Sequence, residues 1–145
     1  MPRADALAVV DASVVVRWLV EEIGSAEATA LLDDEVHWLA PRLMSTEVAS
    51  ALRRKNAEGP IRADAAMTAL RGMLGLVHDG DIELVPDESL VEVALALAMQ
   101  SGHKLPDCLY LALAEQRDAK LVTADRRLES LARSRKIASI LVPSA

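Results

Sequence analysis

The chain of 145 residues is long enough for one domain with a real core and short for two, so residues 1–145 are read as a single domain. Sixteen basic against 22 acidic side chains leave a net charge of −6, the wrong sign for gripping nucleic acid through bulk charge, and two tryptophans with one tyrosine make no base-stacking platform. No apolar run reaches the roughly 18 residues of a membrane span, MPRADALAVVD has no leader-like pattern, and a single cysteine, Cys108, reads as a buried small hydrophobe; the expectation is a cytoplasmic protein with no membrane partner.

In chain order, short apolar runs alternate with helical patterns. LAVV (7–10) reads as a buried strand. Asp11 interrupts the apolar stretch that follows, and Ala12-Ser13 sits where a strand could hand over to a helix with Ser13 as its cap; the competing parse is one long valine-rich strand. A helix is expected from Ser25 to Asp33, a strand at VHWLA (36–40), and helices from Arg42 to Glu58, closed by Gly59-Pro60, and from Ala63 to His78. IELV (82–85) is the next strand. Ser89-Leu-Val-Glu92 reads as a capping box opening a helix to Ser101, and Pro106 suits the first turn of a helix to Asp118. KLVT (120–123), a helix from Asp125 to Lys136, and SILV (139–142) complete the pattern. Such alternation predicts an α/β fold: a central, mostly parallel sheet of about five strands with helices on both faces.

Four acids stand out against this framework. Asp11 falls at the carboxyl end of the first strand, the edge where open α/β sheets place ligand sites. Glu47 falls on the apolar stripe of its helix, with Leu43, Met44, Val48 and Ala51, and so points inward. Asp107 opens a helix that is apolar nearly all round, and Asp125 follows a strand; a first-turn acid and a helix cap explain these two equally well without chemistry. Converging carboxylates repel one another, and a hard divalent cation such as Mg²⁺ or Mn²⁺, which takes oxygen ligands and leaves positions for phosphate, is the usual remedy. That chemistry suits phosphodiester hydrolysis.

The segments VVDASVVVRWL, STEVASAL, LPDCLYLALA and LVTADRRL, in this order, resemble the four acidic motifs of the PIN-domain nucleases over about Leu7 to Val142. The resemblance implies that Asp11, Glu47, Asp107 and Asp125 are catalytic metal ligands for Mg²⁺ or Mn²⁺, with Ser13 and Thr123 as supporting hydroxyls. A short stand-alone chain of this kind looks most like the toxin branch of the family, VapC. That implies a metal-dependent endoribonuclease acting on RNA such as tRNA, blocked by a cognate VapB-type antitoxin and assembled as a homodimer.

Other residues have two readings each. Arg53, Arg54 and Lys55 at a helix end, and Arg126 after Asp125, are candidate contacts to RNA phosphates or solvated helix ends. Arg17 fits a buried ion pair, an interface or a substrate contact; His103 fits an exposed loop better than proton donation; Trp18, Trp38 and Tyr110 fit the core. Two other functions remain open: a PIN fold used only for binding or assembly, and a phosphoryl-accepting receiver with Asp87 as acceptor. A dehalogenase-like phosphatase would need an acid where Ser13 stands.

Overall fold

The computed structural model describes residues 6–33 and 35–145; the amino-terminal residues 1–5, read above for a leader, and residue 34 lie outside the described residues. Five strands, β1 (Leu7–Val10), β2 (His37–Pro41), β3 (Ile82–Val85), β4 (Lys120–Thr123) and β5 (Ser139–Leu141), form one sheet in the order β3-β2-β1-β4-β5. Every neighbouring pair is parallel. The expected strands are therefore present, two with ends shifted by one residue.

Seven α-helices connect them among the described residues: α1 (Ala12–Leu19), α2 (Ser25–Ala30), α3 (Met44–Glu58), α4 (Ala63–His78), α5 (Val91–Ser101), α6 (Leu105–Arg117) and α7 (Arg126–Ser134). The chain walks from β1 outward to β3, then returns to lay β4 on the other side of β1. Right-handed crossovers consequently put α1–α4 on one face and α5–α7 on the other. None of these helices is long and apolar enough to cross a membrane.

The core explains the apolar runs. Ala8, Val9 and Val10 are fully buried in the central strand, between Leu39 of β2 and Leu121 and Val122 of β4. A strand covered on both faces has no solvated side, so strict alternation is absent. Helix α6 lies against β1, β2 and β4 and buries Cys108 through Ala114 without interruption. Trp18 and Trp38 meet edge to face, with ring centroids 5.0 Å apart, and the Trp18 indole donates to the carbonyl of Ala28 at 2.8 Å.

Two local expectations are corrected. The stretch after Asp11 is a helix and not a continued strand, but Ser13 does not cap it. Asp11 occupies the cap position, its carbonyl accepting from the amides of Val14 and Val15 while its side chain makes no capping bond. The capping box at Ser89 and Glu92 does not form either. A 3₁₀ turn at Asp87–Ser89 intervenes, the Ser89 hydroxyl donates to the carbonyl of Pro86, and α5 starts from Leu90 without a side-chain cap.

The loop between α1 and α2 is tied to the rest of the chain. Arg17 donates to the carbonyls of Ser13 and Ile23 and pairs with Glu22, which also meets Lys55 at the end of α3. Gly24 adopts φ +93°, and a Cβ there would run into the carbonyl oxygen of Pro143, so this position needs glycine both for its backbone and for the close approach of the carboxyl-terminal segment. Gly24→Ala is expected to cost about 1–3 kcal/mol, read as a lower urea midpoint at unchanged slope; an unaltered midpoint would refute the close approach.

Candidate active site

The strand order reverses direction between β1 and β4, so a crevice opens at the carboxyl ends of these two strands. Asp11 ends β1 there, only 8% exposed, and its amide bonds to the carbonyl of Val122 at 3.0 Å. Two hydroxyls converge on the same oxygen of its carboxylate: Ser13 Oγ donates to Oδ2 at 2.6 Å and Thr123 Oγ1 at 2.8 Å. Both hydroxyls are themselves held, because the amide of Ala124 donates to Ser13 Oγ and that of Asp125 to Thr123 Oγ1. Ser13 and Thr123, expected as supporting residues, thus fasten Asp11 across the β1–β4 junction.

Glu47 lies in the first turn of α3, which begins directly beyond β2, and is half-buried as its place on the stripe predicts. The buried hydroxyl of Tyr110 donates to Glu47 Oε1 at 2.6 Å. The start of α3 is pinned by Asp87, whose Oδ1 accepts from the amide of Leu43 at 3.1 Å. Asp107 sits in the first turn of α6, its side chain 23% exposed and its Oδ2 3.9 Å from Nε2 of His103. Asp125 caps α7, with Oδ1 accepting from the amides of Arg127 and Leu128 at 2.8 and 3.3 Å. The cap reading of Asp125 is therefore correct as far as it goes; its second oxygen takes no part in the cap.

Electrostatics shows how close the acids come. Burial pushes the Asp11 carboxyl up, opposed by the Ser13 and Thr123 hydroxyls, and the charge of Asp125 raises it further. Burial likewise raises Glu47, opposed by the Tyr110 hydroxyl and reinforced by the charges of Asp11, Asp107 and Asp87. Asp107 is raised by burial and then by Asp11 and Asp125, with His103 and Lys104 pulling the other way. Ion pairs among the described residues give Asp11, Glu47 and Asp107 no lysine or arginine partner. Asp11, Glu47 and Asp107 each feel the charge of a neighbouring acid, yet no three His, Cys, Asp or Glu side chains among the described residues stand close enough to enclose a metal ion unaided. An uncompensated all-oxygen set of this openness fits Mg²⁺ or Mn²⁺, which keep several waters and need only one or two direct carboxylates.

The basic candidates divide. Arg53, Arg54 and Arg126 are exposed, whereas Lys55 is engaged by Glu22. Arg17 is an ion-pair residue of the α1–α2 loop, and Cys108 is buried. Two residues were missed as site components. Tyr110 reads as core in the sequence, although its spacing of one helical turn from Asp107 places both on one face of α6. Asp87 was weighed only as a phosphoryl acceptor; here its carboxylate is occupied by the Leu43 amide.

A model of the PIN domain matches residues 8–134. The chain belongs to the PIN-domain family. Ribonuclease VapC3 of Pyrobaculum aerophilum is 34% identical over 122 residues, which cover 83% of this chain and 90% of that protein. Among solved structures, PAE2754 from Pyrobaculum aerophilum superposes with a TM-score of 0.69 at 24% identity, covering 94% of this chain and 84% of that one. VapBC2 from Rickettsia felis, solved with a DNA fragment from its promoter, gives 0.63 at 11% identity over 94% and 98%. At these identities the structural matches establish the PIN fold alone. The strand order 3-2-1-4-5 also differs from the 2-1-3-4-5 order of flavodoxin-like receivers, which removes the basis for the phosphoryl-accepting alternative.

A carboxyl whose pKa is higher in the folded chain than in the unfolded one makes folding take up protons. Stability from that group then rises as pH falls from neutral towards the raised value, and levels off below the unfolded pKa. In chelator, wild type should therefore gain in Tm relative to Asp107→Asn as pH falls from about 8 to below about 3.9. Parallel melting curves over that range would contradict a raised Asp107 carboxyl.

Proposed function

We propose that this chain is a divalent-metal-dependent endoribonuclease of the VapC kind, with Asp11, Glu47, Asp107 and Asp125 as its catalytic acids and Ser13 and Thr123 as supporting hydroxyls. The observation that carries the reading is the placing of acids from four different elements about the β1–β4 crevice, of which Asp11, Glu47 and Asp107 are raised by burial and then by neighbouring acids, and have no lysine or arginine partner among the described residues. Membership of the PIN-domain family and the likeness to a protein named Ribonuclease VapC3 favour RNA as the substrate.

Each residue has a separate task. Asp11, whose Oδ2 accepts from Ser13 and Thr123, would be one of the residues that hold a Mg²⁺ or Mn²⁺ ion. Glu47, whose Oε1 accepts from Tyr110, would be a second, and Asp107 and Asp125 would extend the negative edge that attracts the cation. The ion, when bound, lowers the pKa of an attacking water and offsets charge on the scissile phosphate. His103 lies beside Asp107, with Nε2 3.9 Å from Oδ2, and the proposed chemistry is assigned to the acids. Arg53, Arg54 and Arg126 are the exposed groups available to RNA phosphates, and Lys55 contributes only if it leaves Glu22.

The antitoxin partner and the homodimer extend the same reading. Val91, Leu95 and Met99 form an exposed stripe at four-residue spacing on α5, 40, 49 and 72% exposed, suited to a second copy of the chain. Sedimentation velocity should find a dimer for wild type and a monomer for Leu95→Asp; equal sedimentation would exclude this face.

The decisive experiment is cleavage of labelled total RNA by purified protein with Mg²⁺, Mn²⁺ or EDTA. Asp11→Ala, Glu47→Ala and Asp107→Ala should each reduce cutting by about a hundredfold or more, and Asp125→Ala by less, since part of that side chain serves as a helix cap. Full activity in any of the first three would sink the assignment. Folded protein that binds metal and cuts no RNA would favour the binding-only use of the fold.

A further inference from the structure

Tyr110 is fully buried, and its hydroxyl lies among the acids of the crevice. It projects from α6 one turn after Asp107 and donates to Glu47 Oε1, on α3, at 2.6 Å. A phenol in a core is costly unless its hydroxyl finds a partner, and phenylalanine would fill nearly the same volume without that requirement. The hydroxyl therefore has a purpose at this position beyond packing.

That purpose follows from what acts on Glu47. The charges of Asp11, Asp107 and Asp87 all bear on it, and a glutamate has enough rotatable bonds to swing its carboxylate away from them into water. Two attachments oppose this. Asp87 fixes the start of α3 through the Leu43 amide, and Tyr110 fixes the carboxylate itself. The bond also makes the two oxygens of Glu47 unequal, since Oε1 is taken and Oε2 has no side-chain donor among the described residues. Asp11 is treated in the same way by Ser13 and Thr123, both on Oδ2.

We propose that Tyr110 is a positioning residue for Glu47: its hydroxyl holds the carboxylate at the crevice against the repulsion of the neighbouring acids and reserves Oε2 for the cation. This rests on the metal-dependent reading given above. Tyr110 touches neither substrate nor reacting atoms in this role; it acts through Glu47, as hydrogen bonds behind metal ligands generally do.

Tyr110→Phe removes the hydroxyl and little else. Mn²⁺ binding, followed by calorimetry, should weaken about tenfold in this variant with the far-ultraviolet circular dichroism unchanged. RNA cleavage should lose about tenfold in kcat while KM for RNA stays the same. In a Glu47→Ala background, Tyr110→Phe should change neither quantity further, because the partner it positions is already gone. Wild-type Mn²⁺ affinity in Tyr110→Phe would overturn the proposal, as would an equal loss in the Glu47→Ala background, which would mean general damage to α6. If the wild-type protein binds no Mn²⁺, the metal-dependent function fails and this role with it; binding by wild type that is unaffected by Tyr110→Phe removes the role alone.

Discussion

A carboxylate withdrawn from water at the end of a central strand has to be held, and here two hydroxyls hold it. Ser13 reaches back from the first turn of α1, and Thr123 reaches across from β4, to the same oxygen of Asp11. Everything else at the crevice is arranged around this knot. It joins β1 to β4 where the order of strands reverses and orients the loop that begins α7, while burial and then the charge of Asp125 push the Asp11 carboxyl up. Hydroxyl donors favour the charged form of Asp11 while burial opposes it, so the site is assembled against its own electrostatics. Packing of α6 over β1, β2 and β4 supplies the compensation.

How much of this was legible in the sequence depends on the kind of information asked for. LAVV, IELV and KLVT marked their strands because residues covered on both faces must be apolar whatever their partners. Glu47 could be placed inward because helical periodicity fixes direction. Partners are a different matter. That Ser13 would turn back to Asp11 instead of capping α1, or that Ser89 would bond the carbonyl of Pro86, is decided by a few backbone angles that periodicity does not encode. The Tyr110 hydroxyl is the sharpest case: a single oxygen on an otherwise apolar helix face, whose partner lies 63 positions earlier in the chain. The family resemblance found the acids through their motifs, and Ser13 and Thr123 with them, whereas the Tyr110 hydroxyl, inside the third motif, passes for core.

The charge balance also reads differently with the structure in hand. A net charge of −6 argued against nucleic acid in bulk, yet several of the acids responsible stand on one edge, where a bound cation would convert them from a deterrent into an anchor for phosphate. Part of the apparent basic patch is spent elsewhere, since Lys55 is bound to Glu22 and steadies the α1–α2 loop. Long-range attraction is correspondingly weak, so the proposed substrate would be selected at contact and not by steering.

The bond between Thr123 and Asp11 spans 112 positions of the chain. Contacts of such separation require a large loop to close, and they form late compared with the helical hairpins around them. On the ribosome the consequence is a matter of timing: β1 emerges before β2 and β3, and β4, which completes its crevice, only after both. A nascent chain can build most of its helices while its cluster of acids is still without a second wall. Any chemistry done at that edge is thereby withheld until β4 has been made.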